Sequence, residues 1–431
     1  MAVMIGGDTG VAQAQSDTPQ KYTAALVVLA TVFFMWGFAT VLNDILIPHL
    51  KSAFRLDYAQ VLLIQFVFFL AYLVMAMPSA KILERTGYKL AVVVGLLGMA
   101  VSAAGFIPAA MLESFGLFLV ALFLLAASIT LLQVAANPYV AVIGPPQTAS
   151  SRLNLVQAFN SAGTMLAPLF GSLLILGRSA AHHLTAAQRA AGVHTVELPY
   201  AIIAAVLLAL ALLVWRVQLP DLGKDTRRAA RAERAGQSLW RHRNLVFGVP
   251  AIALYLICEV GIGSTLVNFM SQPSIGAMSH ARAADYLTLY WGGAMAGRFV
   301  GSWFLRWMRP QRALATVTIG ALVLVGVAIL STGHVAMWSL LAVGLCNSIM
   351  FPTIFTLGIR GLGPLTEEGS GLLIMAIAGG ALAELQGVLA DTIGLHWSYI
   401  LPWVCYGYVL FYALWGYRAT GAVQDEQLLA S

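Results

Sequence analysis

Apolar residues in this chain run in long blocks separated by short polar stretches, with no alternation of period two. A helix rises about 1.5 Å per residue, so about 20 apolar residues cross a hydrocarbon layer of about 30 Å. The blocks predict spans near 22–49, 59–80, 90–109, 115–141, 152–177 and 199–218. A second set is predicted near 245–271, 283–305, 313–332, 335–359, 370–391 and 397–417. Backbone groups in lipid must pair within their own segment, so each span is read as a helix. The predicted fold class is an all-α polytopic membrane protein, twelve transmembrane helices in two six-helix halves.

The polar stretches organise the chain. Residues 219–244, "LPDLGKDTRRAARAERAGQSLWRHRN", form its most charged segment and read as a cytoplasmic linker. The expected domains are an N-terminal half at 21–218 and a C-terminal half at 245–418. Residues 1–20 and 419–431 are expected to be cytoplasmic tails, the first disordered and without a cleaved signal peptide. Of the 24 Lys and Arg residues, Arg298 falls inside a span. Five (Lys51, Arg55, Arg178, Arg189 and Arg282) fall on one side, and the remaining eighteen fall on the side of the termini and linker. The positive-inside rule makes that side cytoplasmic; the expected localisation is a bacterial-type inner membrane, crossed many times.

Composition agrees. The chain is 60% hydrophobic and 10% charged, with a mean hydropathy of +0.83, whereas soluble domains carry about 25% charged residues. The net charge of +6 sits in loops between spans, so nucleic acid is not an expected partner. The three Cys lie inside apolar runs and read as small buried hydrophobes. No metal-ligand spacing, His pair or nucleophile elbow appears, so no metal, cofactor or enzymatic activity is expected.

A weak internal repeat supports two halves. Gln133, Pro138 and Gly144 in the fourth span recur as Asn347, Pro352 and Gly358 in the tenth, at the same spacings. Duplication of this kind is a property of secondary transporters.

Polar residues inside the spans are the candidate site, because an ionisable residue there costs a few kcal/mol on insertion scales. Asp44 and Asn43 lie near the outer end of span one. Gln133 and Asn137 share a face of span four. Asn154, Gln157, Asn160, Ser161 and Thr164 form a polar stripe on span five. Amides both donate and accept, so such a stripe either binds a hydroxyl-rich ligand or joins helices. Span seven carries Glu259 and Asn268 on opposite faces of a straight helix, and Gly261 and Gly263 would permit a bend that brings them together. Ser264 shares a face with Asn268. Arg298 of span eight is expected to be structural, with Glu259 as a possible partner. Glu384 of span eleven has no partner that the sequence names. Asp391, beside "TIG", is placed at the cytoplasmic interface. Trp36, Tyr139, Trp291 and Phe351 offer aromatic faces in the same spans.

The motifs "FFMWGFATVLNDILIPHLK", "QVAANPYVAVIGP", "SRLNLVQAFNSAGT", "YWGGAMAGRFVGS" and "NSIMFPTIFTLGIRGLG" together resemble the fucose–galactose–glucose:proton symporters of the major facilitator superfamily. The loop "AKILERTGYK" resembles that superfamily's signature after span two, with Glu84, Arg85 and Gly87 in register for conformational gating. The resemblance implies alternating access around a central sugar site, with Asp44 as a proton carrier and Gln157 and Asn160 at the sugar. In L-fucose members a fourth-span Glu also serves coupling; this chain has Gln133, which cannot hold a proton. "LQVAANPY" is similar to the glucose/galactose branch, and Glu259 fits that branch's seventh span. The place of Glu384 is normally uncharged there, often Pro.

The expected function is hexose uptake coupled to protons. Asp44 and Glu259 would couple; Asn43, Gln133, Asn137, Gln157, Asn160, Asn268, Asn347, Trp36, Trp291 and Phe351 would contact sugar. The expected partners are the sugar, a proton and membrane lipid, in a monomer. The alternatives are an uncoupled uniporter, a sodium-coupled symporter in which Asp and Asn oxygens hold a hard cation, and, less favoured, an efflux antiporter.

Overall fold

The computed structural model describes residues 19–54, 58–112, 114–174, 197–220 and 237–419, with side chains described over 22–41, 63–112, 114–168, 197–220 and 237–419. The expected linker at 219–244 and both tails therefore lie largely outside the described residues. Twelve helices follow in order. They are α1 (Pro19–Phe54), α2 (Tyr58–Thr86), α3 (Tyr88–Met111), α4 (Phe115–Val142), α5 (Ala149–Leu174) and α6 (Glu197–Arg216), then α7 (Arg243–Ser271), α8 (His280–Phe304) and α9 (Pro310–Leu330). The last three are built from pieces. α10 joins Gly333–Asn347 to Met350–Gly358, and α11 joins Thr366–Met375 to Glu384–Ile393 through a 3-10 coil at Ala376–Ala383. α12 joins Leu395–Ser398 to Ile400–Phe411 and ends in a π turn at Tyr412–Gly416.

Among the described residues, ten of these segments are long and apolar enough, by composition, to cross a membrane. The other two, α5 and α8, are the helices that carry the amide stripe and Arg298. Their lower hydropathy reflects their content of polar groups.

Helix ends are closed by side chains. Ser114 and Ser279 cap α4 and α8, accepting from the amides of Leu117 and Arg282. The last carbonyls of a helix lack intrahelical partners. Arg152 supplies them for α4, donating to Val140 at 3.1 Å and Ala141 at 2.7 Å. Asn244 does the same for α10, its Nδ2 donating to the carbonyls of Leu357, Gly358 and Arg360 at 2.8–3.0 Å. Gly87, at φ 80°, makes the turn from α2 to α3 that few other residues allow.

Lipid offers no hydrophobic drive between helices, so small residues that let backbones approach do the packing. α1 and α5 cross at Gly37 and Gly163, against the Asn160 and Phe34 carbonyls. On α8, Gly293, Gly297 and Gly301 recur every four residues and pack against Leu345, Ser348 and Ile349. A Cβ on Gly163 would overlap the Phe34 carbonyl oxygen and lie 3.0 Å from the Phe38 nitrogen. Gly163→Val is expected to lose about 1–3 kcal/mol to overpacking, read as a lower melting temperature of the purified protein. Gly407→Ala, where nothing among the described residues lies within 4 Å, is expected to melt like the parent. Equal melting of both variants would refute this account of the crossing.

The two halves meet toward the end of the bundle that carries the linker. There the Ser150 and Thr356 hydroxyls lie 2.6 Å apart, Ser151 donates to the Ser302 carbonyl, and Ser370 donates to Val134 at 2.9 Å. Phe159 and Phe299 pack edge to face across the same boundary. The 3-10 coil of α11 passes between α7 and α2. Its Gly379 faces Ala253 and its Gly380 faces the Phe69 ring, which leaves no room for side chains. A 3-10 stretch inside a helix often marks a hinge. Asp391 falls near the far end of α11, away from the linker, which corrects its expected place. The correction follows from helix direction, since α11 begins on the linker side.

Candidate functional site: an amide stripe facing an ion pair

Helices α1, α2, α4 and α5 of the N-terminal half each bring one part of the site. On α4, Gln133 donates from Nε2 to the Tyr72 hydroxyl of α2 at 2.6 Å, with both side chains buried. One turn on, Asn137 accepts from Gln157 of α5 at 3.5 Å, and its own Nδ2 is buried with no partner among the described residues. Asn160 donates to the Phe33 carbonyl of α1 at 2.9 Å. Ser161 donates back to the Gln157 carbonyl at 3.1 Å. These amides each spend one group on joining helices. The stripe is therefore both packing and a source of unspent donors and acceptors.

Other stripe residues serve contact between the halves. Asn154 is fully buried, and its Nδ2 bonds the Ser150 carbonyl at 2.8 Å and Thr353 of α10 at 3.4 Å. Trp36 is buried against Phe33, ring centroids 4.9 Å apart. Tyr139 stacks on Tyr88 and donates to the Pro220 carbonyl at 2.7 Å, so it anchors the chain as it leaves α6. α1 runs on through Asn43 and Asp44, whose side chains lie outside the described residues.

The C-terminal half faces this stripe with an ion pair. Arg298 Nη2 lies 3.5 Å from Glu259 Oε1, and each side chain is 13% exposed. Arg298 Nε donates to the Ser348 carbonyl at 3.0 Å, and Nη1 donates to the Ser161 hydroxyl of α5. α7 runs unbroken past Gly261 and Gly263, and these glycines serve close approach: Gly261 to Gln386, Gly263 to Trp291. Ser264 and Asn268 are exposed on α7, as is Trp291 on α8. Glu384 is exposed where the last piece of α11 begins, a position that suits a carboxylate at a helix N-terminus.

Asn347 sits elsewhere. It is fully buried inside the C-terminal half, donating to Tyr290 at 2.8 Å and accepting from Tyr406 at 2.6 Å. Its amide nitrogen and oxygen each meet a tyrosine hydroxyl, and in this conformation the side chain is enclosed away from the stripe. Phe351 is also buried, near Phe355. Glu84 is half-buried and Arg85 exposed in the α2–α3 turn on the linker side, beside Gly87. Tyr72, Tyr290 and Tyr406 escaped sequence reasoning, because a tyrosine in an apolar run carries no signal of the amide it will meet.

Twelve helices in two halves, with amides facing a partly buried ion pair, define a polytopic carrier. Residues 27–384 match the Major Facilitator Superfamily, and the chain belongs to that family. It is similar to the "Glucose/galactose transporter" of Brucella abortus biovar 1 (strain 9-941), 47% identical over 406 residues, covering 94% of this chain and 97% of that one. It is also similar to the "L-fucose-proton symporter" of Escherichia coli (strain K12), 34% identical over 412 residues, covering 91% and 93%. Among solved structures it resembles the major facilitator transporter FucP in the outward conformation. That match has a TM-score of 0.82 and 32% identity, and covers 92% of this chain and 99% of that one.

Proposed function

We propose that this chain is a sugar transporter that takes up a hexose of the glucose or galactose class with a proton, by alternating access. The observation that carries the reading is the amide stripe of α5 facing Arg298 and Glu259 across the halves. Gln157, Asn160 and Asn137 retain hydrogen-bonding groups that suit a polyhydroxylated ligand. Exposed Asn268 and Trp291 supply the opposite wall, the indole suiting the C–H face of a sugar ring. The similarity to the Brucella protein favours glucose or galactose; the similarity to the L-fucose symporter favours coupling to protons.

In this reading Asp44 and Glu259 hold the proton. A buried charge is costly, so a carboxylate that takes a proton removes a barrier to the rocking step. Gln133, paired with Tyr72, supplies shape and hydrogen bonding but no titratable group. The bundle is closed on the linker side. In this reading the protein is a monomer of a bacterial inner membrane; with the termini cytoplasmic, as the Lys and Arg distribution implies, the closure is an outward-facing state. The turn with Glu84, Arg85 and Gly87 then works as a cytoplasmic gate between halves bounded by the 219–244 linker.

The test is uptake of labelled glucose, galactose and fucose into liposomes, with and without an inward proton gradient. Gradient-driven accumulation of glucose or galactose is expected. Uptake that responds to none of the three, or that ignores the gradient, would overturn proton-coupled hexose transport. The missing fourth-span carboxylate gives one specific rival, a uniporter that equilibrates sugar without accumulating it.

A further inference from the structure

Arg298 has three hydrogen-bonding arms, and each meets a different helix. Nε holds the Ser348 carbonyl of α10, Nη2 faces the Glu259 carboxylate of α7, and Nη1 reaches Ser161 of α5. The first two partners belong to the C-terminal half. The third belongs to the N-terminal half. A guanidinium is always charged and its donors form a rigid plane, so fixing two arms aims the third. Ser161 is itself tied to the stripe: it adjoins Asn160 and donates to the Gln157 carbonyl. On the linker side of this contact, the halves are joined by Ser150 to Thr356, Asn154 to Thr353 and Ser151 to Ser302. Arg298 thus lies at the floor of the candidate site.

We propose that Arg298 is a latch between the halves, holding the linker side closed through Ser161, with its aim set by the carboxylate of Glu259. This deepens the transport reading and rests on it only for the role of the closure. Opening toward the linker side requires Nη1 to leave Ser161. Neutralising Glu259 removes the charged partner that fixes the guanidinium plane. A ligand held by Gln157 and Asn160 lies beside the same guanidinium and competes for it. Proton and sugar would then act on a single group. Other titratable groups facing Glu259 are the Tyr255 phenol and Cys258 thiol on α7 and the Tyr290 phenol on α8; the Tyr406 phenol and Cys405 thiol of α12 lie beyond them, against Cys258. Phenols and thiols are uncharged near neutral pH at their ordinary values, which leaves Glu259 as the acid facing Arg298 among the described residues.

The experiment measures the distance between spin labels at Gln147→Cys and Arg306→Cys, exposed positions in the two linker-side loops that flank the α5–α8 boundary. The three native cysteines are replaced by alanine, and the full chain is reconstituted in lipid. Ser161→Ala removes one oxygen. Losing a hydrogen bond to a charged group is expected to raise the ratio of linker-side-open to closed molecules about tenfold or more. Glu259→Gln is expected to shift the distances in the same direction, and Arg298→Ala further, with Arg298→Lys partly restoring the closed state. Ser102→Ala, a hydroxyl bonded within its own helix, is the control and is expected to leave the distances unchanged. If Arg298→Ala does not fold, Ser161→Ala decides. Parent-like distances in folded Ser161→Ala and Glu259→Gln would overturn the latch. The readout needs no transport, so failure of hexose uptake in the parent would count against the transport reading and leave this result standing.

Discussion

Asp44→Asn is expected to abolish accumulation of hexose against its gradient while leaving sugar exchange across the membrane largely intact. The substitution keeps shape and hydrogen bonding and removes only the ability to hold a proton. One pH unit is worth about 1.4 kcal/mol, so one proton per sugar drives about tenfold accumulation across such a gradient. The variant should settle at equal concentrations on both sides. The effect is large because Gln133 stands where a second carboxylate is expected in the N-terminal half, and its side chain is committed to Tyr72. Equal loss of accumulation and exchange would assign Asp44 to binding or folding instead.

The second large effect is expected at Gln157. Its link to Asn137 is long, at 3.5 Å, so little of the packing depends on it. Gln157→Ala is expected to raise the sugar concentration for half-maximal uptake about 10- to 100-fold, the loss of one or two hydrogen bonds to a bound hydroxyl. Its melting temperature should stay near that of the parent. Asn160→Ala is expected to weaken both binding and folding, because Asn160 also holds the Phe33 carbonyl where α1 crosses α5. A Gln157→Ala protein with parent-like uptake would remove the stripe from the sugar site.

The contrast between these two amides shows what could be read from the chain. Helix number follows from block length, a property of composition that no tertiary contact overrides. The stripe on α5 was legible because five polar residues at helical spacing in lipid demand a reason. Which of them packs and which stays available was not legible, since Asn154, Gln157 and Asn160 are alike until their neighbours are known. For Arg298 a pairing with Glu259 was legible, but its contacts with Ser161 and Ser348 were not, because those partners lie far away in sequence. Asn347 looked like a ligand contact through the repeat with Gln133, yet it is enclosed by Tyr290 and Tyr406. The repeat preserves position along the helix and does not preserve the neighbours across it. The interruption of α11 at Ala376–Ala383 also had no clear signal, because alanine and glycine permit several helical coils and the squeeze between Ala253 and Phe69 selects one.

The central claim is that one chain couples a hexose to a proton through Asp44 without a fourth-span carboxylate. The most direct measurement is proton flux on adding sugar to reconstituted vesicles, read with a pH-sensitive dye trapped inside, with no gradient imposed. Glucose or galactose added outside is expected to acidify the lumen in the parent and to leave it unchanged in Asp44→Asn, although the variant still exchanges labelled sugar. Sugar entry without acidification in the parent, or acidification that survives Asp44→Asn, would contradict the account.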